Sequence, residues 1–497
     1  MNKTFVNVFL SILLQVVTII CGFITPRLIL STFGSEVNGL VNSITQFLSY
    51  VMLFEGGLNA VVLAGLYKPV HDNNYEKMSA IVAASNKFYN KLTILFVCYT
   101  AVLSILYPLF VNSGFSMAFV STLTWILSIY MLSQYCLALT AKTFLKAKQK
   151  VGFISLIQIL VIVLNTILTV VVIKLYPDIH IVKLISSLAF VLQPIVLNRY
   201  IDKHYVLDKN AAPDNKAMEQ RWNGFGINTA AFIHDNTAIV ILTIFATLTD
   251  VSVFSVYILV TTGMKRLIQS ISAGIVPKLG NDYVSDNKLK FNKTFGLYEF
   301  IIFFSTFFLF TVGSLVITPF VLLYTQGIVD ADYNQVVLGW ALIVAEGIFC
   351  LREPYVNMAY SANRFKYIQK YAYIEAALNI LVSLLLVKKL GFVGVACGTI
   401  TGMTYRTIMQ VLYLKNNVLC RGCMAVVRHL LLFGSAAFIS ILLSKGLVSD
   451  CEISIQGWVL FAFKNSLIVL SLCILLAIAF YRDEVRSIWN ILLMKIK

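Results

Sequence analysis

"FVNVFLSILLQVVTIICGFITPRLIL" (residues 5–30) decides what kind of chain this is. Its 26 residues contain one charged side chain, Arg27. At about 1.5 Å per residue it makes a helix longer than the roughly 30 Å of a bilayer's hydrocarbon core. The apolar core of a signal peptide runs to only about 7–15 residues and is followed by a small-residue cleavage site. Here the run is too long, and no such site followed by a polar mature domain appears. The stretch reads as a first membrane helix.

The rest of the chain agrees. It has 497 residues, 59% hydrophobic and 12% charged, with a mean hydropathy of +0.83. Soluble domains are about 45–50% apolar and about 25% charged. An all-α polytopic membrane protein is therefore expected. Apolar runs of spanning length fall at 5–30, 37–66, 88–111, 117–141, 151–175, 181–201, 222–247, 251–277, 294–324, 335–361, 367–387, 391–414, 425–444 and 456–481, which is 14 spans.

A net charge of +16 invites a nucleic-acid reading, but the placement of the lysines and arginines decides otherwise. With the N-terminus inside, 28 of the 39 Lys and Arg fall in inside loops and 5 in outside loops. That bias is the positive-inside signature. It puts both termini in the cytoplasm and makes the basic charge a match to anionic inner-leaflet lipid. No nucleic-acid partner is implied. The nine cysteines are scattered. Cys420 and Cys423 form a lone CxxC with no second ligand pair, so no metal site is expected.

Sliding the chain on itself so that Glu36-Val37 falls on Asp250-Val251 aligns further residues without a gap. Asp72-Asn73 then falls on Asp286-Asn287, Lys150 on Arg364 and Asn165 on Asn379. These coincidences pair spans 1–6 with 7–12. Both copies start on the same side, so the repeats are parallel and imply a pseudo-two-fold axis along the membrane normal. The expected organisation is a six-helix bundle (1–205), a cytoplasmic linker (206–221), a second six-helix bundle (222–416) and two added helices (417–497), with a cleft between the bundles.

Ionisable groups inside spans are costly and usually face a cavity or a partner. The first half has Arg27 and Glu55. The second has His234, Asp235, Lys265, Arg266, Glu299, Glu346, Arg352, Glu353, Glu375 and Arg406. Asp235 and Lys265 lie at similar central depth on consecutive helices, so they are expected to pair. Glu346 shares that depth. Successive helix residues point about 100° apart, so at least one of Lys265 and Arg266 should face the cleft. Arg27 either faces the cleft or snorkels. Arg352-Glu353, just before Pro354, reads as a structural ion pair. Glu375 and Arg406 also read as structural, and Glu299 as interfacial. On span 1, Asn7, Ser11, Gln15, Thr18, Gly22 and Thr25 recur at steps of three and four, a polar stripe expected to line the cleft.

The sequence has no GxxxxGK[ST] and no HExxH, so neither nucleotide hydrolysis nor zinc-protease chemistry is indicated. No cofactor is expected. Two six-helix bundles facing across a cleft are a transporter architecture, so the energy is expected from an ion or membrane-potential gradient or from substrate concentration, with Asp235, His234, Glu55 and Glu346 as candidates for H+ or Na+ coupling. Buried carboxylates titrate usefully.

"FEGGLNAVVLAGLYKPVHDNNYEKMSAIVAASNKFYNK" (54–91) resembles the span 2–3 region of bacterial polysaccharide repeat-unit flippases, the Wzx-type (O-antigen and capsule) branch of the multidrug/oligosaccharidyl-lipid/polysaccharide exporter superfamily. The matching residues are Glu55, Gly57, Leu66-Tyr67-Lys68-Pro69, Asp72 and Glu76-Lys77. "FKYIQKYAYIEAALNILVSLLLVKKLGFVGVACGTI" (365–400) is similar to the span 11–12 region, through Asn379-Ile380, Gly391, Gly394 and Gly398-Thr399. The resemblance implies a non-enzymatic carrier of undecaprenyl-diphosphate-linked oligosaccharide across the bacterial cytoplasmic membrane. It implies Arg27, Lys265 and Arg266 as cleft contacts, to which the stripe on span 1 adds Gln15 and Asn7. It also implies polymerase and glycosyltransferase partners in the same pathway. Within spans 1–12 the charges named above balance at five basic and five acidic once Glu299 is set aside, so an acidic sugar unit is not indicated. A cation-coupled drug exporter, or a flippase for another lipid-linked glycan or peptidoglycan precursor, remains the alternative.

Overall fold

The computed structural model describes residues 3–55, 58–111, 114–208, 210–214, 225–284, 288–362, 364–419, 422–448, 454–487 and 489. The described residues form helices throughout. They are α1 (Lys3–Ser49), α2 (Leu58–His71), α3 (Tyr75–Phe110), α4 (Met117–Ser133), α5 (Leu139–Ala147), α6 (Val151–Leu175), α7 (Ile179–His204), α8 (Phe225–Phe245), α9 (Leu248–Val284), α10 (Lys288–Tyr324), α11 (Val336–Ser361), α12 (Phe365–Leu414), α13 (Met424–Val448) and α14 (Ile455–Phe480).

Among them, ten helices are long and apolar enough to cross a membrane, which makes the chain a multi-pass membrane protein. Two of these run through a bend at a glycine. Gly34 in α1 has φ 82° and Gly391 in α12 has φ 55°, a region that only glycine occupies without strain. α11 is 26 residues long, but Glu346, Arg352 and Glu353 make it too charged to count with the ten. Proline also marks the membrane setting. Pro26, Pro69, Pro108, Pro194, Pro277, Pro319 and Pro354 all sit inside helices, a placement tolerated far better in membrane helices than in soluble ones.

Helix ends recur at the displacement that lays Glu36 on Asp250. α3 ends at Phe110 and α10 at Tyr324; α5 ends at Ala147 and α11 at Ser361; α6 begins at Val151 and α12 at Phe365. Gly34 falls on Leu248, the first residue of α9, and Pro177 in the α6–α7 turn falls on Gly391.

The chain forms two compact units, Met1–Ser252 and Val253–Lys497. The first therefore includes α8, which the sequence assigns to the second half. The reason is a polar seam with α1. Thr243 and Ser43 hydroxyls are 2.7 Å apart, Asn38 donates to Ser252 Oγ at 2.8 Å, and Gln46 and Ser49 both donate to Asn236 Oδ1. Tyr107 adds a bond to Ser43 Oγ at 2.7 Å. Gly39 sits so close to the first turn of α9 that a Cβ there would fall on the Leu248 carbonyl. Backbone cannot step aside as a side chain can, so Gly39→Ala should exceed the usual overpacking cost of about 1–3 kcal/mol. The expected result is a clear drop in the thermal midpoint of the purified protein, while Gly22→Ala, whose added Cβ meets nothing within 4 Å, leaves it unchanged.

In the second unit the core between α10, α13 and the end of α14 is aromatic. Phe433 stacks on Tyr481 with ring centroids 5.6 Å apart, Phe300 lies 5.0 Å from Tyr481 and Phe303 5.0 Å from the His429 ring. This packing holds α13 and α14 to α10.

Candidate functional site

The second unit carries a polar ladder between α9 and α11. Lys265, Gln269 and Ser272 recur at steps of four and three, so they share one face of α9. Lys265 is 8% exposed, while Arg266 beside it faces outward. Lys265 Nζ lies 3.2 Å from Glu346 Oε2 and 4.4 Å over the Phe349 ring. One turn on, Gln269 donates to Glu353 Oε1 at 3.4 Å. On the next turn, Asn357 donates to Glu353 Oε2 at 2.9 Å, to Ser272 Oγ at 3.0 Å and to Tyr298 OH at 3.0 Å. Ser272 and Tyr298 share a further hydrogen bond. Glu346 and Glu353 are each half-buried. The ladder thus offers one buried ammonium, held by a half-buried carboxylate. An anion competing for that ammonium has to displace Glu346.

The pairing of Arg352 with Glu353 does not form. Adjacent residues on a helix diverge by about 100°. Glu353 turns to the ladder, and Arg352 turns to α12. There Arg352 Nη1 donates to Glu375 Oε1 at 3.1 Å, and Arg406 Nη1 donates to Glu375 Oε2 at 2.5 Å. All three side chains are buried, Glu375 fully so. The structural reading of Glu375 and Arg406 thereby gains its geometry: one carboxylate bridges two guanidiniums, and both Nε atoms lie buried without a hydrogen-bond partner. The Arg352 guanidinium also rests 5.0 Å over Phe349, the ring that Lys265 covers.

Glu299, expected at an interface, is instead fully buried. Tyr355 donates to its carboxylate, and His429 Nε2 of α13 lies 3.5 Å from Glu299 Oε2. His429 Nδ1 is 2.7 Å from Tyr481 OH. This cluster ties α10 and α11 to α13 and the end of α14, and burial is what overturns the interfacial reading. His429 stands one residue after Arg428 at the polar start of an apolar run, so the sequence carries no sign of its burial.

In the first unit, Glu55 ends a short 3₁₀ turn, Tyr50–Glu55. Asn59 and Tyr89 donate to it, and Tyr89 and Thr143 both donate to Asn59 Oδ1 at 2.9 Å. Asn7, expected in the cleft-lining stripe, spends its amide on the start of α6: it donates to Gln149 O at 3.0 Å and accepts from Gly152 N at 2.8 Å. Gln15 and Arg27 are half-buried along α1, and Gln15 Nε2 is buried without a hydrogen-bond partner. His234 and Asp235 belong to α8, but their side chains lie outside the described residues, and with them the expected Asp235–Lys265 pairing. Their neighbour Asn236 is placed by Gln46 and Ser49, and Phe232 by an edge contact with Tyr50. Among the described residues no cluster of His, Cys, Asp and Glu has the form of a metal site.

No protein-family model matches the chain, and no curated protein does. Solved structures do. A lipid II flippase MurJ, in an inward closed conformation, is 14% identical with a TM-score of 0.69, over 96% of this chain and 100% of that one. A multidrug resistance MATE family transporter of the MOP superfamily, inward-facing, is 15% identical with a TM-score of 0.58, over 80% of this chain and 93% of that one. The MATE multidrug transporter DinF-BH, in a ligand complex, is 15% identical with a TM-score of 0.62, over 83% of this chain and 95% of that one. The chain has the fold that these flippases and exporters share.

Proposed function

We propose that the chain is a flippase that carries undecaprenyl-diphosphate-linked oligosaccharide repeat units from the inner to the outer leaflet of the bacterial cytoplasmic membrane, for surface polysaccharide synthesis. The supporting observation is the extent of the likeness. The lipid II flippase covers 96% of the chain. The two multidrug transporters cover 80% and 83% of it, and the part they leave out is close in size to the segment 417–497. Likeness over nearly the whole chain supports the reading as a carrier for a lipid-linked glycan. In this reading it has fourteen spans in two parallel six-helix repeats, with both termini inside. The recurrence of helix ends between the halves and the glycine bends within α1 and α12 support that count.

The cycle is alternating access. The diphosphate displaces Glu346 from Lys265 and takes the ammonium as a charge-assisted partner. Arg266 and Arg27 are the further cationic candidates. The freed Glu346 joins Asp235, His234 and Glu55 as a candidate carrier of H+ or Na+. The polyprenyl tail stays in lipid. Purified protein in liposomes should move a fluorescent undecaprenyl-diphosphate oligosaccharide between leaflets and leave a cationic dye where it is. Dye movement without glycan movement would replace this reading with that of a cation-coupled multidrug exporter.

A further inference from the structure

α3 presents a polar face near its N-terminal end that the transport cycle does not use. Ala83, Asn86, Lys87, Asn90, Lys91 and Ile94 recur at steps of three and four and line one pocket of about 450 Å³. Its roof is the linker, through Asn210, Ala211 and Pro213. The roof is fastened at both ends to one turn of α3: Asp208 N donates to Ser79 Oγ at 2.9 Å, and Asp214 N donates to Ala80 O at 3.1 Å. The Asp208 carboxylate is taken up by the loop's own Asn210 N–H, at 2.9 Å.

The lining from α3 therefore holds two ammonium groups and two carboxamides, and the pocket as a whole has no acidic side chain. These four side chains make no hydrogen bond or ion pair among the described residues. Their level on the helix is also informative. From Leu92 to Phe110 the helix contains no charged residue, and at about 1.5 Å per residue that run crosses the hydrocarbon core. Lys87 and Lys91 then lie where the phosphates of one leaflet lie, the inner one in the topology proposed above. Ile94, exposed at the deep end, would meet acyl chain.

We infer that this pocket binds the phosphate-bearing headgroup of a resident anionic lipid, clamped between α3 and the linker. Two ammonium groups with no acidic side chain beside them fit a phosphate better than a zwitterionic headgroup, whose choline would face the lysines. The apolar end favours a lipid over a free anion. The pocket shares no residue with the α9–α11 ladder, so its occupancy does not depend on the carrier reading above.

The test is lipid retention by the purified full-length protein in detergent, read by native mass spectrometry with phosphatidylglycerol or phosphatidylcholine added. The wild type should retain phosphatidylglycerol selectively. Each lysine near an anionic surface is worth about fivefold. Lys87→Gln/Lys91→Gln should therefore weaken retention about 25-fold. Lys68→Gln/Lys77→Gln, which removes the same charge from exposed positions outside the pocket, should leave it unchanged. Equal retention in the Lys87/Lys91 variant, or an equal loss in the Lys68/Lys77 variant, overturns the inference. So does binding of pyrophosphate at this site in place of phosphatidylglycerol, which would make it a site for a soluble anion.

Discussion

Replacing Glu375 by alanine should remove most of the folded protein. Glu375 is the one carboxylate shared by Arg352 and Arg406, at 3.1 and 2.5 Å. All three are buried, and both Nε atoms already lack acceptors. Breaking a buried pair typically costs about 3–5 kcal/mol, because the remaining charge has no compensation. Here two guanidiniums are stranded at once. Total stabilities are only about 5–15 kcal/mol, so the loss is a large fraction. The measurement is the monodisperse fraction and thermal midpoint after extraction in detergent. Glu375→Gln keeps the volume and one acceptor oxygen and should fall between the wild type and the alanine variant. Arg352→Met/Glu375→Leu/Arg406→Met removes every charge and should recover much of the loss, since apolar replacement of a buried ionic triad is often neutral. A wild-type midpoint for Glu375→Ala would show that the triad does not hold α11 to α12.

Membrane class is legible in the sequence because it rests on run length and charge sorting, which are summed over the whole chain. Partners are not legible, because they depend on rotation about a helix axis and on which helix lies opposite. Arg352 and Glu353 are neighbours in the chain and part company for that reason. Glu375 and Arg406 stand far apart in α12 and meet because the helix folds back at Gly391. Depth alone gives Lys265 a central charged role, and the structure adds Glu346 as its partner. The two residues share a depth, which the sequence shows, and a side, which it does not. Asn7 shows the reverse error. A helical polar stripe marks a face, and a face can be taken up by a neighbouring backbone as readily as by a cleft, as Gln149 and Gly152 do here. His429 and Tyr481 lie beyond such reasoning because their burial comes from the aromatic packing of α10 against α13 and α14.

Lys265→Ala should reduce glycan translocation by about tenfold to a hundredfold. A hydrogen bond to a charged group is worth about 1.5–3 kcal/mol, and each step of about 1.4 kcal/mol is tenfold. Loss of activity alone would not separate a substrate contact from a structural pair, because the single variant also leaves Glu346 without its ammonium. The double variant Lys265→Ala/Glu346→Gln separates them. It removes both charges, so the thermal midpoint lost in Lys265→Ala should return. If the ladder only holds α9 against α11, translocation returns with it. If Lys265 receives the diphosphate, stability recovers and translocation stays low. Glu346→Gln alone completes the cycle: it leaves Lys265 in place and removes the Glu346 charge that competes with the substrate for it. That variant should bind the lipid-linked glycan more tightly than the wild type, while its leaflet-to-leaflet rate loses its dependence on an imposed H+ or Na+ gradient. Wild-type translocation by the double variant would remove Lys265 from the substrate's path and leave the Lys265–Glu346 contact a helix clasp.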